Sequence, residues 1–178
     1  MDYKNFDENE SLAMLLDKSH RSLGNNLQRI FKIYGFDITV EQWMILLVLW
    51  KDNGQTQKQI ASIIGKDKGT ISPQLDGLEK RELIMRLQDK KDKRRNIVCL
   101  TQKGKDLENE LIPLGYANIN IAQYGIAEED LKTCMKVLRK ICSNLEKGNV
   151  LIKQVGIQRP ELAKIPVLEA EKLIIPKT

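Results

Sequence analysis

Apolar side chains recur at helical spacing through most of the chain. In residues 9–34 they follow one another at steps of three and four, from Leu12 to Tyr34, which predicts an amphipathic helix. Thr39 and Gln42 have the spacing of a capping box, so a second helix is expected to begin there. Its residues up to Trp50 are apolar in almost every direction, which favours a buried helix.

Two further helices are predicted around a glycine turn. Thr56 and Gln59 form a second capping box before a short apolar helix, and Gly65 stands where that helix should end. Asp67 is a good N-cap for the next helix, in which Pro73 removes one backbone donor and should cause a slight kink. Its inward stripe is predicted to be Ile71, Leu75 and Leu78.

The period of the pattern then changes from helix to strand. Residues 85–88 alternate apolar and polar, and residues 96–100 are rich in β-forming types. The seven residues between them, DKKDKRR, are all charged. This arrangement predicts a β-hairpin with a basic tip.

The C-terminal part returns to helical spacing. A helix is expected after Thr101 with a bend at Pro113, and a last strong helix spans about residues 128–147. Its apolar stripe is predicted to be Leu131, Cys134, Met135, Leu138, Ile141 and Leu145. Residues 148–178 combine glycine and proline with aliphatic clusters, so we expect them to pack on another surface, such as a second subunit.

The positive charge is concentrated in the middle of the chain. The 178 residues carry a net charge of +5 and are 42% hydrophobic, an ordinary globular balance. Residues 51–105 hold 14 Lys/Arg and 7 Asp/Glu, a net charge of +7, whereas the segments before and after them sum to −2 and zero. A localised positive face is typical of a protein that binds a polyanion.

Several classes of protein are disfavoured. The sequence has no glycine-rich phosphate loop, no Ser/His/Asp grouping, and one histidine without metal-ligand companions, so we expect no enzyme, cofactor or metal site. Three cysteines without regular spacing argue against a disulfide framework, and Cys134 and Cys142 are expected to be buried and inert. We expect neither a secretory signal nor a membrane span, and hence a cytoplasmic protein.

The order of elements is that of a winged helix-turn-helix. The helix that begins at Asp67 would present small polar side chains to the major groove, where base edges offer distinct patterns of donors and acceptors. The candidates for base contact are Thr70, Ser72 and Gln74. Lys66 and Lys68, near the start of the same helix, are suited to phosphate contacts.

The basic hairpin tip should lie along the DNA backbone, with one arginine entering the minor groove. The candidate contacts are Lys90, Lys91, Lys93, Arg94 and Arg95. Asp89 and Asp92 would oppose DNA binding as free charges. We therefore expect them to hold neighbouring basic side chains through charge-assisted hydrogen bonds.

Six segments resemble the MarR family of regulators, over roughly residues 10–147: Thr39–Trp43, Gln59–Ala61, Thr70–Ser72, Leu78–Ile84, Asp89–Arg94 and Val98–Gly104. The resemblance implies an intertwined helical homodimer that binds a pseudo-palindromic operator. It also implies that Asp92 orients a minor-groove Arg94, and that a small aromatic or anionic effector weakens DNA binding. Two positions depart from the family, Lys91 where arginine is common and Ala127 where a Ser or Thr cap is usual.

The predicted fold is mainly α with a small β-hairpin wing. We divide it into an N-terminal dimerisation helix (1–35), a winged helix-turn-helix DNA-binding domain (36–104), C-terminal dimerisation helices (105–147) and an extension (148–178). His20, Trp43 and Met44 are candidates for an effector pocket. The alternatives are an interface or surface position for His20 and a core position for Trp43.

The predicted function is a sequence-specific regulator of transcription, expected to be a repressor, whose partners are duplex DNA, a second copy of the chain and a small effector. The alternative is a winged helix that binds proteins without specific DNA binding. Acidic side chains at Asp76, Glu79 and Glu82 favour that alternative, and the lysine-rich wing disfavours it.

Overall fold

The computed structural model describes residues 11–88 and 96–146, the Glu146 side chain excepted. The chain divides into two compact units, one formed by Leu12–Ala122 and the other including the residues from Gln123 onward. The first unit contains α1 (Leu12–Ile33), α2 (Val40–Lys51), β1 (Gln55–Thr56), α3 (Gln57–Ile64), α4 (Lys68–Lys80), β2 (Ile84–Gln88), β3 (Asn96–Leu100), α5 (Gln102–Asp106) and α6 (Glu108–Gln123) up to residue 122. The second contains α7 (Glu128–Glu146).

Side-chain caps start α2 and α3 where the sequence predicts them. The Thr39 hydroxyl accepts a hydrogen bond from the Gln42 backbone N–H at 3.1 Å, and Gln42 Oε1 accepts one from the Thr39 N–H at 3.2 Å. Thr56 and Gln59 form the same reciprocal pair at the start of α3. Both capping boxes are confirmed, and each satisfies backbone donors that have no partner within the helix.

The three strands form one antiparallel sheet in the order β1-β3-β2. β2 and β3 pair from Ile84 opposite Leu100 to Gln88 opposite Asn96, which confirms the strands of the predicted hairpin. β1 adds only two residues against β3, with Gln55 opposite Val98. Strand β1 was not predicted from the sequence, because two residues are too few to show a period of two.

Helix α2 lies at the centre of the first unit. Ile45, Leu46 and Leu49 are completely buried, as the apolar run predicts. Trp43 lies between the rings of Phe31 and Trp50 in two edge-to-face contacts, each with centroids 5.5 Å apart. The remaining buried core residues come from α1, α3, α4, α6, β2, β3 and the connecting segments.

The helix that follows β3 is interrupted at a different place from the one predicted. We expected a single helix bent at Pro113, and this is wrong because α5 ends at Asp106 and α6 starts at Glu108. Pro113 lies within α6. The Trp50 Nε1–H donates to the Gly104 carbonyl at 2.8 Å, which ties α5 to α2 just before the break.

In the second unit, α7 is strongly amphipathic, with acidic side chains in its first turn. Of the α7 side chains that the structure describes, none is buried. Cys134 and Cys142 are exposed, so their expected burial is wrong for a single chain. None of the described helices is both long and apolar enough to cross a membrane.

Candidate nucleic-acid interface

Asp67 fixes both the start of α4 and the side chain of Thr70. One carboxylate oxygen accepts the Thr70 backbone N–H at 2.8 Å and the other accepts the Thr70 hydroxyl at 2.9 Å. These two bonds, the backbone one first, lower the pKa of Asp67 below its ordinary value because they favour the charged form. Thr70 is thereby held at the exposed beginning of α4.

A short turn joins α3 to α4. Gly65 ends α3 with a φ of 72°, in the left-handed region that glycine adopts without strain. The Gln57 side chain, in the first turn of α3, donates to the Lys68 carbonyl at 3.1 Å. The N-terminal ends of both helices are therefore linked directly.

One side of α4 is buried and the other is exposed. Ile71, Leu75 and Leu78 are buried against the core, which confirms the predicted stripe. The exposed positions are Lys68, Gly69, Thr70, Pro73, Asp76 and Lys80. Of the three residues proposed for base contact, only Thr70 belongs to this exposed set, because Ser72 and Gln74 are half-buried. Gln74 Oε1 also accepts a hydrogen bond from the Thr39 hydroxyl at 3.4 Å.

A groove of about 1070 Å³ lies beside the exposed face of α4. Its walls come from β1, from α3 as far as Ser62, from the α3–α4 turn, from Lys68 at the start of α4 and from the β2–β3 pair. Three of its lining residues are exposed lysines, Lys58, Lys66 and Lys68. Lys66 and Lys68, which the sequence proposes for phosphate contacts, therefore lie together on a surface suited to a polyanion.

Arg86, on β2, neutralises two acidic side chains of α4. Its guanidinium lies 2.6 Å from an Asp76 carboxylate oxygen and also pairs with Glu79. The Arg86 backbone N–H donates to the other Glu79 oxygen at 3.2 Å. The cluster joins β2 to α4, and it weakens the idea that Asp76 and Glu79 form an acidic surface for a protein partner.

A second arginine fixes the other end of α4. Arg81 donates to the Asp37 carbonyl and to Gln42 Oε1, the latter at 2.7 Å, and its guanidinium lies 3.0 Å from the Asp37 carboxylate. Gln42 is itself buried and belongs to the α2 capping box. The C-terminal end of α4 is therefore attached to the start of α2.

The predicted wing contacts lie in residues 89–95, outside the described part of the chain. They are Lys90, Lys91, Lys93, Arg94 and Arg95, together with the orienting Asp92. Their roles stay predictions.

A smaller cavity of about 290 Å³ lies between α1, α2 and α6. It is lined by Leu27, Trp43, Leu47, Ile112, Gly115, Tyr116, Asn118 and Ile119, a set without a charged side chain. A Cβ on Gly115 would lie 2.8 Å from a Trp43 ring carbon, so glycine gives the ring its room. Trp43 thus contacts this cavity, whereas His20 and Met44 are exposed and are not among its lining residues.

Several residues of this surface were not predicted from the sequence. Gln57 and Lys58 in the first turn of α3 and Asn96 on β3 line the groove, and Pro73 is exposed on α4. The capping box at Thr56 could have identified Gln57 and Lys58, since it fixes where α3 begins and therefore which residues form its first turn. No local signal identifies Arg86, because its partners lie on another element.

The MarR family model matches residues 38–95. The HTH-type transcriptional regulator MhqR of Bacillus subtilis is 26% identical over 133 residues, which are 75% of this chain and 90% of MhqR. The crystal structure of the transcriptional regulator PA3341 matches with a TM-score of 0.68 and 29% identity, covering 77% of this chain and 99% of that one.

The transcriptional repressor CouR, bound to a 23-mer DNA duplex, matches with a TM-score of 0.68 and 22% identity over 75% of this chain and 93% of CouR. CouR from Rhodococcus jostii has also been solved with p-coumaroyl-CoA, and that structure matches with a TM-score of 0.64 and 20% identity, covering 74% of this chain and 91% of CouR. At this identity the likeness to CouR shows the fold.

Proposed function

We propose that the chain is a regulator of the MarR family, whose model matches residues 38–95, and that it represses transcription by binding a pseudo-palindromic operator as a homodimer. The observation that carries this proposal is the exposed face of α4 beside a groove lined by Lys58, Lys66 and Lys68. A helix face of this kind fits the major groove, and the lysines suit the adjacent phosphates. CouR, which has the same fold, binds a DNA duplex in one solved structure.

Homodimer formation is proposed from apolar side chains that a single chain leaves uncovered. Leu12 and Leu15 on α1 are 56% and 47% exposed, and Leu145 on α7 is 74% exposed. Exposed apolar stripes on long helices are typical of surfaces that another chain covers. We therefore assign residues 1–35 and 105–147 to dimerisation and residues 36–104 to DNA binding. The extension 148–178 lies outside the described residues.

The cavity at Trp43 is our candidate for the effector site. Its volume of about 290 Å³ is at the lower end of the range for small-molecule pockets. Its lining is apolar and aromatic apart from Asn118, whose amide is occupied by bonds to Asn26 and to the Leu23 carbonyl. We therefore favour a small aromatic effector over an anion. CouR has been solved with p-coumaroyl-CoA, which supports a small-molecule effector in this fold.

Ligand binding at this cavity can be followed through tryptophan fluorescence. Compounds with a single aromatic ring should quench or shift the emission of a Trp50→Phe variant, which retains Trp43 alone. The same compounds should raise the melting temperature of Trp50→Phe. They should leave the melting temperature of Ile112→Trp unchanged, because the added ring fills the cavity. Equal responses in both variants would place the effector elsewhere.

Selection from random duplexes tests the function itself. The full-length chain should enrich an inverted repeat whose half-sites are about one helical turn apart. Thr70→Ala and Arg94→Ala should each lose specific binding to the enriched site, while Lys140→Ala on α7 should retain it. Failure to enrich any site would contradict the proposal. Wild-type affinity in both the Thr70 and Arg94 variants would overturn the site assignment.

We further propose that the protein acts in the cytoplasm without catalytic activity. The relatives that support this are themselves transcriptional regulators. The acidic surface that would favour a protein-binding role is largely neutralised, since Arg86 pairs with both Asp76 and Glu79.

A further inference from the structure

The exposed face of α4 has an unusual composition for a helix that reads DNA. Between Lys68 and Lys80 the sequence GTISPQLDGLE contains no arginine, lysine, histidine or asparagine. Arginine or lysine on guanine is the commonest specific contact in the major groove, and asparagine or glutamine on adenine is another. The centre of this helix therefore lacks the usual reader of guanine.

The acidic and amide side chains of α4 are already engaged. One Asp76 carboxylate oxygen lies 2.6 Å from the Arg86 guanidinium, so this carboxylate is already paired with a cation of the same chain. Gln74 is half-buried and accepts a hydrogen bond from Thr39. What remains exposed at the centre of the face is Gly69, Thr70 and Pro73.

Thr70 and Pro73 are exposed, and each carries an apolar group. The Thr70 hydroxyl donates its hydrogen to Asp67 at 2.9 Å, which fixes the rotamer, so the side chain offers a base edge its methyl group and an oxygen that can only accept. Pro73 has no N–H, and its ring is rigid and apolar. In the major groove, apolar side chains contact the C5 methyl group of thymine.

We propose that Pro73 and Thr70 determine specificity by packing on thymine methyl groups at the centre of each half-site. The inference rests on the proposed function, because it names what the DNA-binding face recognises. The half-site should therefore contain thymines opposite the middle of α4, with guanine recognition confined to its ends or to the wing.

The test replaces single thymines of the selected site by deoxyuridine, which removes only the methyl group. At one or two positions in each half-site, wild-type affinity should fall about three- to five-fold, the value of burying one methyl group. Thymines outside the half-sites serve as the control and should tolerate the same replacement.

Matched protein variants show which side chain contacts each thymine methyl group. Thr70→Ser removes the side-chain methyl while keeping the hydroxyl bond to Asp67, and it should abolish the deoxyuridine effect at one position. Pro73→Ala should abolish the effect at the other. The alanine also restores the N–H that α4 lacks, so a loss of affinity in this variant cannot be ascribed to an unstable helix. Thr70→Val keeps the methyl group and should keep the sensitivity.

The outcomes separate this inference from the proposed function. If no deoxyuridine replacement changes the affinity for the selected site, the proposed contacts to thymine methyl groups are overturned, whereas the proposal of a DNA-binding regulator remains. Sensitivity that persists unchanged in both Thr70→Ser and Pro73→Ala would overturn the assignment to these residues. Failure to select any specific site would contradict the proposed function and this inference together.

Discussion

Asp67 illustrates how one side chain can both cap a helix and orient a residue proposed to contact DNA. It caps α4 and orients Thr70 through two hydrogen bonds to its carboxylate. The lowered pKa of Asp67 means that the folded protein favours the ionised form more than the unfolded chain does. The stability from this group is therefore complete above the unfolded pKa and is lost as the pH falls through the folded pKa.

Asp67→Asn should remove this pH dependence while keeping a capping side chain. Between about pH 5 and pH 3 the unfolding free energy of the wild type should fall more steeply than that of the variant. Urea unfolding at a series of pH values measures the unfolding free energy of the wild type and of the variant. Parallel profiles would show that the Asp67 carboxylate contributes nothing as a charge.

Glu82 occupies a backbone conformation that favours glycine. Its φ is 61°, and its N–H donates to the Glu79 carbonyl at 2.8 Å while Leu83 donates to Leu78 at 3.0 Å. This pair of bonds is a Schellman motif, whose left-handed residue is usually glycine.

Glu82→Gly should therefore raise the unfolding free energy by about 0.5–1 kcal/mol, since relief of the left-handed strain exceeds the entropy cost of glycine. Denaturant titration gives the value directly. Glu82→Ala is the control for the lost charge and should change stability little. An equal gain in both variants would identify charge, and not backbone strain, as the cause.

At the scale of elements, the helix starts could be predicted because capping is local. Thr39, Thr56 and Asp67 each satisfy donors within three residues and need no distant partner. The break at Leu107 and the strand β1 depend on tertiary packing and escaped prediction. The exposed face of α4 was misjudged because Thr70, Ser72 and Gln74 are spaced by two, a strand period. A helix instead brings residues three and four apart to one side.

The link between β2 and α4 could not be predicted either, because Arg86 and its partners come together only in the folded chain. Arg86→Gln should leave Asp76 and Glu79 uncompensated beside the DNA. We expect about ten-fold weaker binding to the selected duplex because two carboxylates then repel phosphates. Fluorescence anisotropy at low salt measures the loss.

The triple variant Arg86→Gln, Asp76→Asn, Glu79→Gln should recover most of the affinity, since it removes the repulsion together with the countercharge. Far-ultraviolet circular dichroism checks that all variants keep their helices. No recovery in a folded triple variant would show that Arg86 contacts DNA itself.

At the scale of the whole molecule, the amphipathic α7 supplies a test of association. Leu138 belongs to its apolar stripe, and Thr133 lies on the polar side of the same helix. Leu138→Glu should convert a dimer to monomers in sedimentation velocity, because a charge cannot be buried without a partner. Thr133→Glu adds the same charge and should remain dimeric. A monomeric wild type would contradict the dimer.

The proposed DNA-binding surface consists of the lysine-lined groove and α4. The most direct measurement is the affinity of the full-length chain for the selected duplex and for a scrambled duplex across a range of salt concentrations. We expect affinity to fall steeply with salt, and binding to the selected duplex to be about 10³-fold tighter than to the scrambled one. If Lys66 neutralises one phosphate, the slope of log affinity against log salt should be smaller by about 0.9 in Lys66→Gln. Equal, weakly salt-dependent affinities for the two duplexes would contradict the proposed DNA-binding surface.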